Sequence, residues 1–530
     1  MCIMKRSFSI QVLVVGFLLG AGLISCSKDN STDIKKGNLE ILVTRVQGTI
    51  KDANGNPIAG VQVTDGVTIQ ETDAQGKYNF HVDSLSRFVY MSTPSGYMFP
   101  REAGVVSFYT KIRRRANLTD TIQIKDWTLS ATPYNDENHI FIGFGDPQMK
   151  SYTDQQYFVE CFVNQMNKSA LSPQYPLLHI MTCGDLLSDK NSLNILWTQI
   201  SQGINIPIFN TIGNHDHNES VASDDVKADD NYENSFGPTY YSYNRGKVHY
   251  IGLDDIFYEP QPNSVDPVQK SYQCPTVVPR ILKWLKKDIS MVPSDHVIFV
   301  AYHCPVTNTN GSLRTSASYM NPRAMLDTLL GSFTTRQIHL VAGHTHTVYN
   351  SFSISGYPSI KEHVIGATCG AWWRTERLCT DGAPNGYAVF QIKGTDVEWN
   401  YKAWYDTTAI TTFAQQSSFS DFTTATGQVW QQTNSTTKSN CVVVDVWNWD
   451  SAWKVEWNNG GTWTNMTRAT SASYDPVAYS AYLTYVNNPA STSYHMFYAT
   501  PPTGARTFQY RVTDRFGNIE TKTYNLTQAN

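Results

Sequence analysis

The chain contains the stretch Ile338-His339-Leu340-Val341-Ala342-Gly343-His344-Thr345-His346, in which an apolar run leads directly into a loop with two histidines. Four other apolar runs also end at a cluster of carboxylate, amide or imidazole side chains. These runs cover 139–144, 177–182, 206–212 and 297–302. The clusters that follow them are Gly145-Asp146-Pro147-Gln148, Gly184-Asp185, Gly213-Asn214-His215-Asp216 and His303. All five runs predict buried strands.

The positions of these clusters predict a metal site. Ligands of open α/β sheets bind beyond the carboxyl ends of the strands, so residues that follow such strands converge in space. A single Asp or His in such a place is more often a turn former or a core residue, but five clusters together favour a site. The oxygen and imidazole donors are Asp146, Asp185, Asn214, His303, His344 and His346. This mixture suits manganese, iron or zinc rather than calcium or copper(I).

The same donors suit phosphoester chemistry. One carboxylate that bridges two cations would hold them roughly 4 Å apart, and a hydroxide shared between them would be a strong nucleophile at neutral pH. Such a pair neutralises phosphoryl oxygens and needs little covalent help from the protein.

The rest of the chain divides into segments of different pattern. Between 138 and 405, strands alternate with amphipathic stretches, which is typical of a layered α/β core. In 39–132, short alternating segments separated by turns predict a small antiparallel β-sandwich. The Thr-, Ser- and Gln-rich part of 406–530, up to about Ser439, predicts a linker, and the alternation that returns at Cys441 predicts a second β-sandwich.

Residues 1–25 have the pattern of a bacterial lipoprotein signal peptide. Its apolar stretch, 10–24, is too short for a comfortable membrane span. The serine before Cys26 is similar to a lipobox, in which the signal is cut and the cysteine is acylated. We therefore expect an extracytoplasmic lipoprotein, periplasmic or on the cell surface, held on the membrane through acylated Cys26, with 26–38 as a polar tether. An ordinary secretory signal with an incidental cysteine is the alternative.

Charge argues against a nucleic-acid partner, and the cysteine spacing limits the possible zinc sites and disulfides. The formal net charge of −4 gives no basic footprint for nucleic acid. The nine cysteines include no Cys-x-x-Cys pair, which argues against a zinc knuckle, and Cys369 with Cys379 is the candidate disulfide. The other cysteines beyond the signal region are expected to be buried as small apolar side chains. The sequence does not define an oligomeric state.

The order of the clusters resembles the calcineurin-like metallophosphoesterase superfamily. That superfamily has, in this order, an Asp motif, Gly-Asp, Gly-Asn-His-Asp or -Glu, a lone His and Gly-His-x-His. The most specific pieces in this chain are Gly213-Asn214-His215-Asp216 and Gly343-His344-Thr345-His346. The resemblance implies that a first metal would be held by Asp146, Asp185 and His346. It implies that a second metal would be held by Asp185, Asn214, His303 and His344. His215 would contact the substrate phosphate or protonate the leaving oxygen, and Asp216 would orient His215.

One position departs from the family pattern. Many members have Asp-x-His in the first motif, whereas this chain has Asp146-Pro147-Gln148. Gln148 would either bind the first metal through its amide oxygen or hydrogen-bond a metal-bound water. Because an amide is a weaker donor than imidazole, the first metal would be looser or biased toward manganese or magnesium.

A narrower resemblance covers nearly all of the chain after the signal. Secreted bacterial members of the superfamily flank the catalytic core with two similar β modules, of which the N-terminal one resembles carboxypeptidase-regulatory-like domains. The implied fold is an α/β (α+β) layered β-sandwich core flanked by two all-β sandwich domains. In the shared stretch around Cys369, Arg374 would clamp a phosphate, and Trp372 and Trp373 would stack on a base or sugar. For at least one of the two tryptophans, structural packing is favoured over stacking on a substrate.

These observations predict a lipid-anchored, metal-dependent hydrolase of a phosphomonoester or phosphodiester. A surface binding lipoprotein that keeps the fold with impaired catalysis is the alternative, favoured only by Gln148. A nuclease would share the chemistry but lacks the expected basic charge.

Overall fold

The computed structural model describes fifteen stretches of the 530-residue chain. They are 41–115, 121–163, 165–166, 174–186, 194–218, 225–260, 270–314, 321–331, 335–374, 377–413, 415–423, 428–433, 435–469, 473–485 and 490–526. The predicted signal peptide, the acylation site Cys26 and the tether therefore lie outside the described residues.

The N-terminal module is a small β-sandwich. Its strands are β1 (Ile41–Leu42), β2 (Arg45–Asp52), β3 (Gln62–Thr64), β4 (Ile69–Glu71), β5 (Lys77–His81), β6 (Phe88–Met91), β7 (Arg101–Glu102), β8 (Val105–Val106), β9 (Tyr109–Lys111), β10 (Arg114–Arg115), β11 (Ile122–Ile124) and β12 (Trp127–Leu129). One sheet has the order β4-β3-β6-β9 and is antiparallel. In the other, β2 pairs antiparallel with β5 but parallel with β11 and β12. The sandwich expected to be antiparallel therefore contains one mixed sheet, because the chain returns to β2 through the opposite sheet.

The central domain is built on two larger sheets. Its strands are β13 (Asn138–Phe144), β14 (Leu177–Thr182), β15 (Ile208–Phe209), β16 (Tyr241–Arg245), β17 (Val248–Gly252), β18 (Phe257–Pro260), β19 (Lys270–Gln273), β20 (Val297–Ala301), β21 (Ile338–Ala342), β22 (Tyr349–Ser351), β23 (Ile360–Val364), β24 (Gly386–Lys393) and β25 (Asp396–Ala403). The first sheet has the order β15-β14-β13-β24-β25 and the second β16-β17-β20-β21-β23-β22. β18 and β19 form a separate hairpin, called the hairpin below.

Helices cover the outer faces of these sheets. They are α1 (Tyr152–Phe158), which continues as a π-helical turn (Val159–Val163), α2 (Asn194–Gly203), α3 (Asp225–Ala228), α4 (Asp230–Phe236), α5 (Pro279–Ser290) and α6 (Pro322–Leu330). In α5, Ile281, Trp284, Leu285 and Ile289 recur at helical spacing and are buried. Phe158 and Trp197 pack on the outer face of the first sheet, in the same apolar cluster as Ile142. The layered core predicted from the alternation of strands and helices is confirmed.

Parallel strands of both sheets end at one edge of the sandwich. In the first sheet, β13 runs parallel to β14, and β14 to β15. In the second, β20 runs parallel to β21. A bridge between Gly145 and Ala367 joins the ends of the two sheets beyond β13 and β23. The clusters therefore converge as expected, although they come from two facing sheets rather than one open sheet.

The C-terminal domain is a second β-sandwich. Its strands are β26 (Ser417–Asp421), β27 (Trp430–Gln431), β28 (Thr437–Lys438), β29 (Val442–Val446), β30 (Lys454–Asn459), β31 (Thr462–Asn465), β32 (Thr467–Arg468), β33 (Met496–Ala499), β34 (Thr507–Thr513) and β35 (Ile519–Asn525), and its helix is α7 (Pro476–Tyr485). The sheets have the orders β26-β29-β33-β32 and β31-β30-β34-β35. The segment expected to be a linker contributes β26. This polar strand escapes the hydrophobic pattern because it is stabilised by pairing with the apolar β29.

The cysteine pairing differs from the expected one. Cys274 and Cys304 form a disulfide, whereas Cys369 and Cys379 are free buried thiols, so the candidate pair was wrong. The Cys379 thiol contacts the carbonyl oxygens of Ala367 and Pro384 at 3.7 Å, whereas Cys369 Sγ lies 3.8 Å from His346 Nδ1. Cys161, Cys183 and Cys441 are buried as expected. In the described part of the chain, no helix is long and apolar enough to cross a membrane.

Candidate metal centre

The turns after the strands hold their polar residues in a strained backbone conformation. Non-glycine residues with a positive φ angle are uncommon and cluster at functional sites. Such residues here include Asp146 (54°), Gln148 (36°), Asp185 (52°), His344 (66°) and His346 (54°). The folded core thus fixes several predicted site residues in a conformation that their own side chains disfavour.

Asp146 and His346 form one end of the site. Asp146 is fully buried, and the backbone N–H of His344 donates to both of its carboxylate oxygens, at 3.1 and 3.0 Å. His346 Nε2 lies 3.6 Å from Asp146 Oδ1. His346 Nδ1 lies 2.8 Å from the carbonyl oxygen of Gly370, which can only accept. Nδ1 therefore carries a hydrogen, and Nε2 faces the carboxylate as a metal-binding histidine would.

Asp185, Asn214, His303 and His344 form the other end. His303 Nε2 lies 2.9 Å from Asn214 Oδ1 and 3.3 Å from Asp185 Oδ1. His344 Nδ1 lies 3.0 Å from Asn214 Oδ1 and 3.1 Å from His303 Nε2. His303 Nδ1 lies 2.7 Å from the Cys183 carbonyl oxygen, which fixes the tautomer as in His346. Ligand atoms of Asp185, His303 and His344 all lie within 4.8 Å of one another.

The protonation equilibria match a site that needs a cation. Burial lowers the pKa of His344 to about 3 and that of His346 to about 4, so both rings are neutral at pH 7. Burial raises the pKa of Asp146 to about 8. Burial would lower the pKa of His303, but the charge of Asp185 raises it to about 10. Divalent cations would neutralise the buried carboxylates and displace the His303 proton, so the donor set fits metal binding.

Gln148 contacts the carboxylate shared by the two predicted ligand sets. Its Nε2 donates to Asp185 Oδ2 at 2.7 Å, and its Oε1 lies 3.8 Å from Cys369 Sγ. The family histidine at this position is thus replaced by an amide that holds Asp185. Metal ligation through Oε1 stays a prediction.

His215 lies beside both ends of the site. Its backbone N–H donates to Asp185 Oδ1 at 2.9 Å, and its charge acts to lower the pKa of both Asp146 and Asp185. Asp216 Oδ2 accepts the N–H groups of Gly213 at 2.9 Å and Leu186 at 3.2 Å. Asp216 therefore ties the Asp185 loop to the Asn214 loop, and its predicted orienting effect on His215 stays a prediction.

The two predicted stacking tryptophans differ in their surroundings. Trp372 is 41% exposed, and its ring centroid lies 4.6 Å from that of His346. Trp373 stacks on Tyr157, and its Nε1 donates to the Pro147 carbonyl oxygen at 2.9 Å. Trp373 therefore packs against the loop that carries Asp146 and Gln148. Arg374 is exposed, and its backbone N–H donates to Ala371 at 3.0 Å.

Sequence reasoning missed several residues around the site. Asp255 accepts the backbone N–H groups of His303 and Cys304, at 3.0 and 2.9 Å. It follows the buried strand β17, so the signal used for the other clusters could have found it. Arg314 adds a positive charge that acts to lower the pKa of His344. The ring centroid of Tyr272, on the hairpin, lies 6.3 Å from that of His344, and no local pattern marks it.

The C-terminal domain is joined to the His346 loop through buried polar groups. The backbone N–H and the hydroxyl of Thr380 donate to the His346 carbonyl oxygen, each at 2.9 Å. Next to it, Asp381 accepts the N–H of Val348 at 2.7 Å and lies 3.3 Å from His495 Nε2. His495 also bonds Asp445 of β29. The domain is thus built into the support of the site.

Three sequence models of known families match the chain in order. The N terminal of Calcineurin-like phosphoesterase matches 44–125, Calcineurin-like phosphoesterase matches 141–348, and the C terminal of Calcineurin-like phosphoesterase matches 362–519. The middle match contains all seven predicted metal ligands. A comparison with curated proteins found no match.

Several solved structures are similar over part of the chain. GAP50, the anchor in the inner membrane complex of Plasmodium, is 11% identical, with 52% of this chain and 87% of that one covered and a TM-score of 0.31. The 5'-nucleotidase from Candida albicans is 10% identical, with 51% of each chain covered and a TM-score of 0.30. Phosphopantetheinyl hydrolase from Mycobacterium tuberculosis is 10% identical, with 44% and 91% covered and a TM-score of 0.27. The chain spans only 18% to 51% of the first three solved structures compared.

Proposed function

Since the chain belongs to the calcineurin-like phosphoesterases with N- and C-terminal extension domains, we propose that it hydrolyses a phosphate monoester or diester with two bound divalent metal ions. One observation carries this proposal. The buried side chains of Asp146, Asp185, His303 and His346, with Asn214 and His344, form a continuous set of oxygen and nitrogen donors at one edge of the sandwich.

The proposed ligand sets are those that the resemblance implies, and the two ends of the cluster support them. Asp146, Asp185 and His346 would hold the first metal, with Gln148 positioning Asp185. Asp185, Asn214, His303 and His344 would hold the second. When bound, manganese, iron, zinc or magnesium would neutralise phosphoryl oxygens and activate a water for in-line attack.

The remaining residues would bind the ester and donate a proton to its leaving oxygen. The backbone N–H of His215 contacts Asp185, and its charge acts on the pKa of both Asp146 and Asp185. From there its imidazole would bind a phosphoryl oxygen or donate a proton to the leaving oxygen. Arg314 adds a positive charge near His344. Because the charge of the ester would be neutralised inside this cluster, the protein would not need the basic stripe with which proteins bind a long polyanion.

The proposal is tested by metal-dependent hydrolysis. The detergent-solubilised full chain, stripped with a chelator, is reloaded in turn with manganese, zinc, iron(II) and magnesium and assayed on p-nitrophenyl phosphate and bis-p-nitrophenyl phosphate. We expect turnover only after metal is restored, at about two metal equivalents per chain. Tight metal binding without turnover of either ester would instead favour a binding lipoprotein with impaired catalysis.

We also propose that the protein is anchored outside the cytoplasm through acylated Cys26. The disulfide between Cys274 and Cys304 supports this location, because disulfides persist in oxidising compartments. Cys26→Ala should abolish labelling by a radioactive fatty acid. Cys2→Ala, in the signal region, is the matched control and should keep the label. Unchanged labelling in Cys26→Ala would refute the anchor at this residue.

A further inference from the structure

Two aromatic rings stand at opposite ends of the ligand cluster. The ring of Trp372 lies 4.6 Å from that of His346, at the Asp146 end. The ring of Tyr272 lies 6.3 Å from that of His344 and nearly perpendicular to it, at the other end. We propose that these two rings, the aromatic clamp, bind the organic part of the substrate, and that the substrate is a phosphate ester with a planar aromatic group. This inference rests on the proposed hydrolase function and names its substrate class.

The surroundings of Trp372 favour a binding role over a packing role. A tryptophan is usually largely buried, yet this side chain is 41% exposed beside the predicted ligand His346. Its backbone has a φ angle of +52°, so the chain holds the residue in a disfavoured conformation. The preceding Ala371 is buried against Ala478 and Tyr482 of α7. The C-terminal domain thus supports the strained turn that presents the exposed ring.

Tyr272 is held by contacts that lead to the ligand cluster. Its ring packs 5.8 Å from that of Tyr258 across the hairpin. The hydroxyl of Tyr258 donates to the backbone carbonyl oxygen of Asn214 at 3.0 Å. Two residues after Tyr272, Cys274 is bonded to Cys304, which directly follows His303. Tyr272 is therefore tied to both ligand loops at this end, and it is partly exposed.

The chemistry of the two rings selects a class of ligand. With phosphate at the cluster, an organic group that extends past His346 or His344 would meet one of these rings. Aromatic faces favour a second aromatic group, and the polar edges of Trp and Tyr tolerate water at an open site. A nucleoside base and an aryl alcohol share this chemistry. An aliphatic ester of equal size would lack it.

The test compares benzyl phosphate with cyclohexylmethyl phosphate, which match closely in size and in leaving-group basicity. We expect the metal-loaded protein to hydrolyse the benzyl ester with a kcat/KM about 10-fold higher. Trp372→Leu and Tyr272→Leu keep apolar bulk and should each bring this ratio toward one, with metal content unchanged. Tyr157→Leu, an exposed tyrosine that packs on Trp373, is the matched control and should keep the ratio.

A ratio near one in the unaltered protein, or an unchanged ratio in both clamp variants, would overturn the proposal. Equal losses on both esters together with loss of metal would also overturn it, because they show a structural role. Affinities for benzylphosphonate and cyclohexylmethylphosphonate report the clamp without turnover, so failure of the hydrolase proposal remains distinguishable. A higher kcat/KM for adenosine 5'-phosphate than for benzyl phosphate would identify the aromatic group as a nucleoside base. A higher kcat/KM for benzyl phosphate would identify it as an aryl alcohol.

Discussion

Asp185→Asn is expected to lower kcat/KM for phosphate esters by roughly 1,000-fold or more and to remove bound metal. Asp185 is the carboxylate shared by the two predicted ligand sets. Its Oδ1 accepts the His215 N–H at 2.9 Å and lies 3.3 Å from His303 Nε2, while Oδ2 accepts from Gln148 at 2.7 Å. An asparagine offers one acceptor and one donor, so its NH2 group would face a donor at one of these contacts.

Metal content and kinetics should be measured on the same preparations. Elemental analysis after dialysis should show fewer metal equivalents than in the unaltered protein, and excess metal should restore only part of the activity. Asp295→Asn, an exposed carboxylate with an imidazole neighbour, is the matched control and should keep both. Full activity with two metal equivalents in Asp185→Asn would contradict the assigned ligand sets.

The sequence was sufficient to predict much of the core because burial and turn chemistry coincide there. Each of the five apolar runs forms a strand, and the residues after them meet at one edge. A strand buried on both faces is built mainly from apolar residues, so a cluster of polar groups directly after it is conspicuous. Asp146 and His344 could therefore be placed at one site although they lie 198 positions apart in the sequence.

Features that depend on tertiary contacts could not be predicted in this way. Tyr272 is held at the site by a disulfide from the hairpin to the residue after His303 and by the contact of Tyr258 with Asn214, and cysteine spacing does not determine pairing. The polar strand β26 is stabilised by its partner rather than by its own pattern. Gln148 was recognised as a departure, but its bond to Asp185 required coordinates.

The role of His495 also depends on tertiary contacts, in this case contacts between two domains. It lies in the C-terminal domain and is fully buried between Asp381 and Asp445. Burial would lower its pKa, but the charge of Asp445 raises it to about 10, so the imidazole is charged at neutral pH. Through Asp381 this charged group supports the residues next to His346. The C-terminal domain therefore supports the loop that carries His346 rather than being an appended module.

His215→Ala is expected to lower kcat by about 100- to 10,000-fold while metal content stays at two equivalents. The backbone N–H of His215, which an alanine keeps, makes the contact to Asp185, so the variant removes the imidazole without removing that support. Loss of activity with metal retained would separate this residue from the ligand Asp185.

The leaving group distinguishes the two roles open to His215. A proton donor matters most when the departing oxygen is strongly basic, so the loss should be much larger for an alkyl phosphate than for p-nitrophenyl phosphate. A residue that only binds the phosphoryl group should produce equal losses on both esters, because both present the same phosphoryl oxygens. His296→Ala, a partly exposed histidine beside Asp295 and outside the cluster, is the matched control. Unchanged turnover of both esters in His215→Ala would exclude either role and leave hydrolysis to the metal ligands alone.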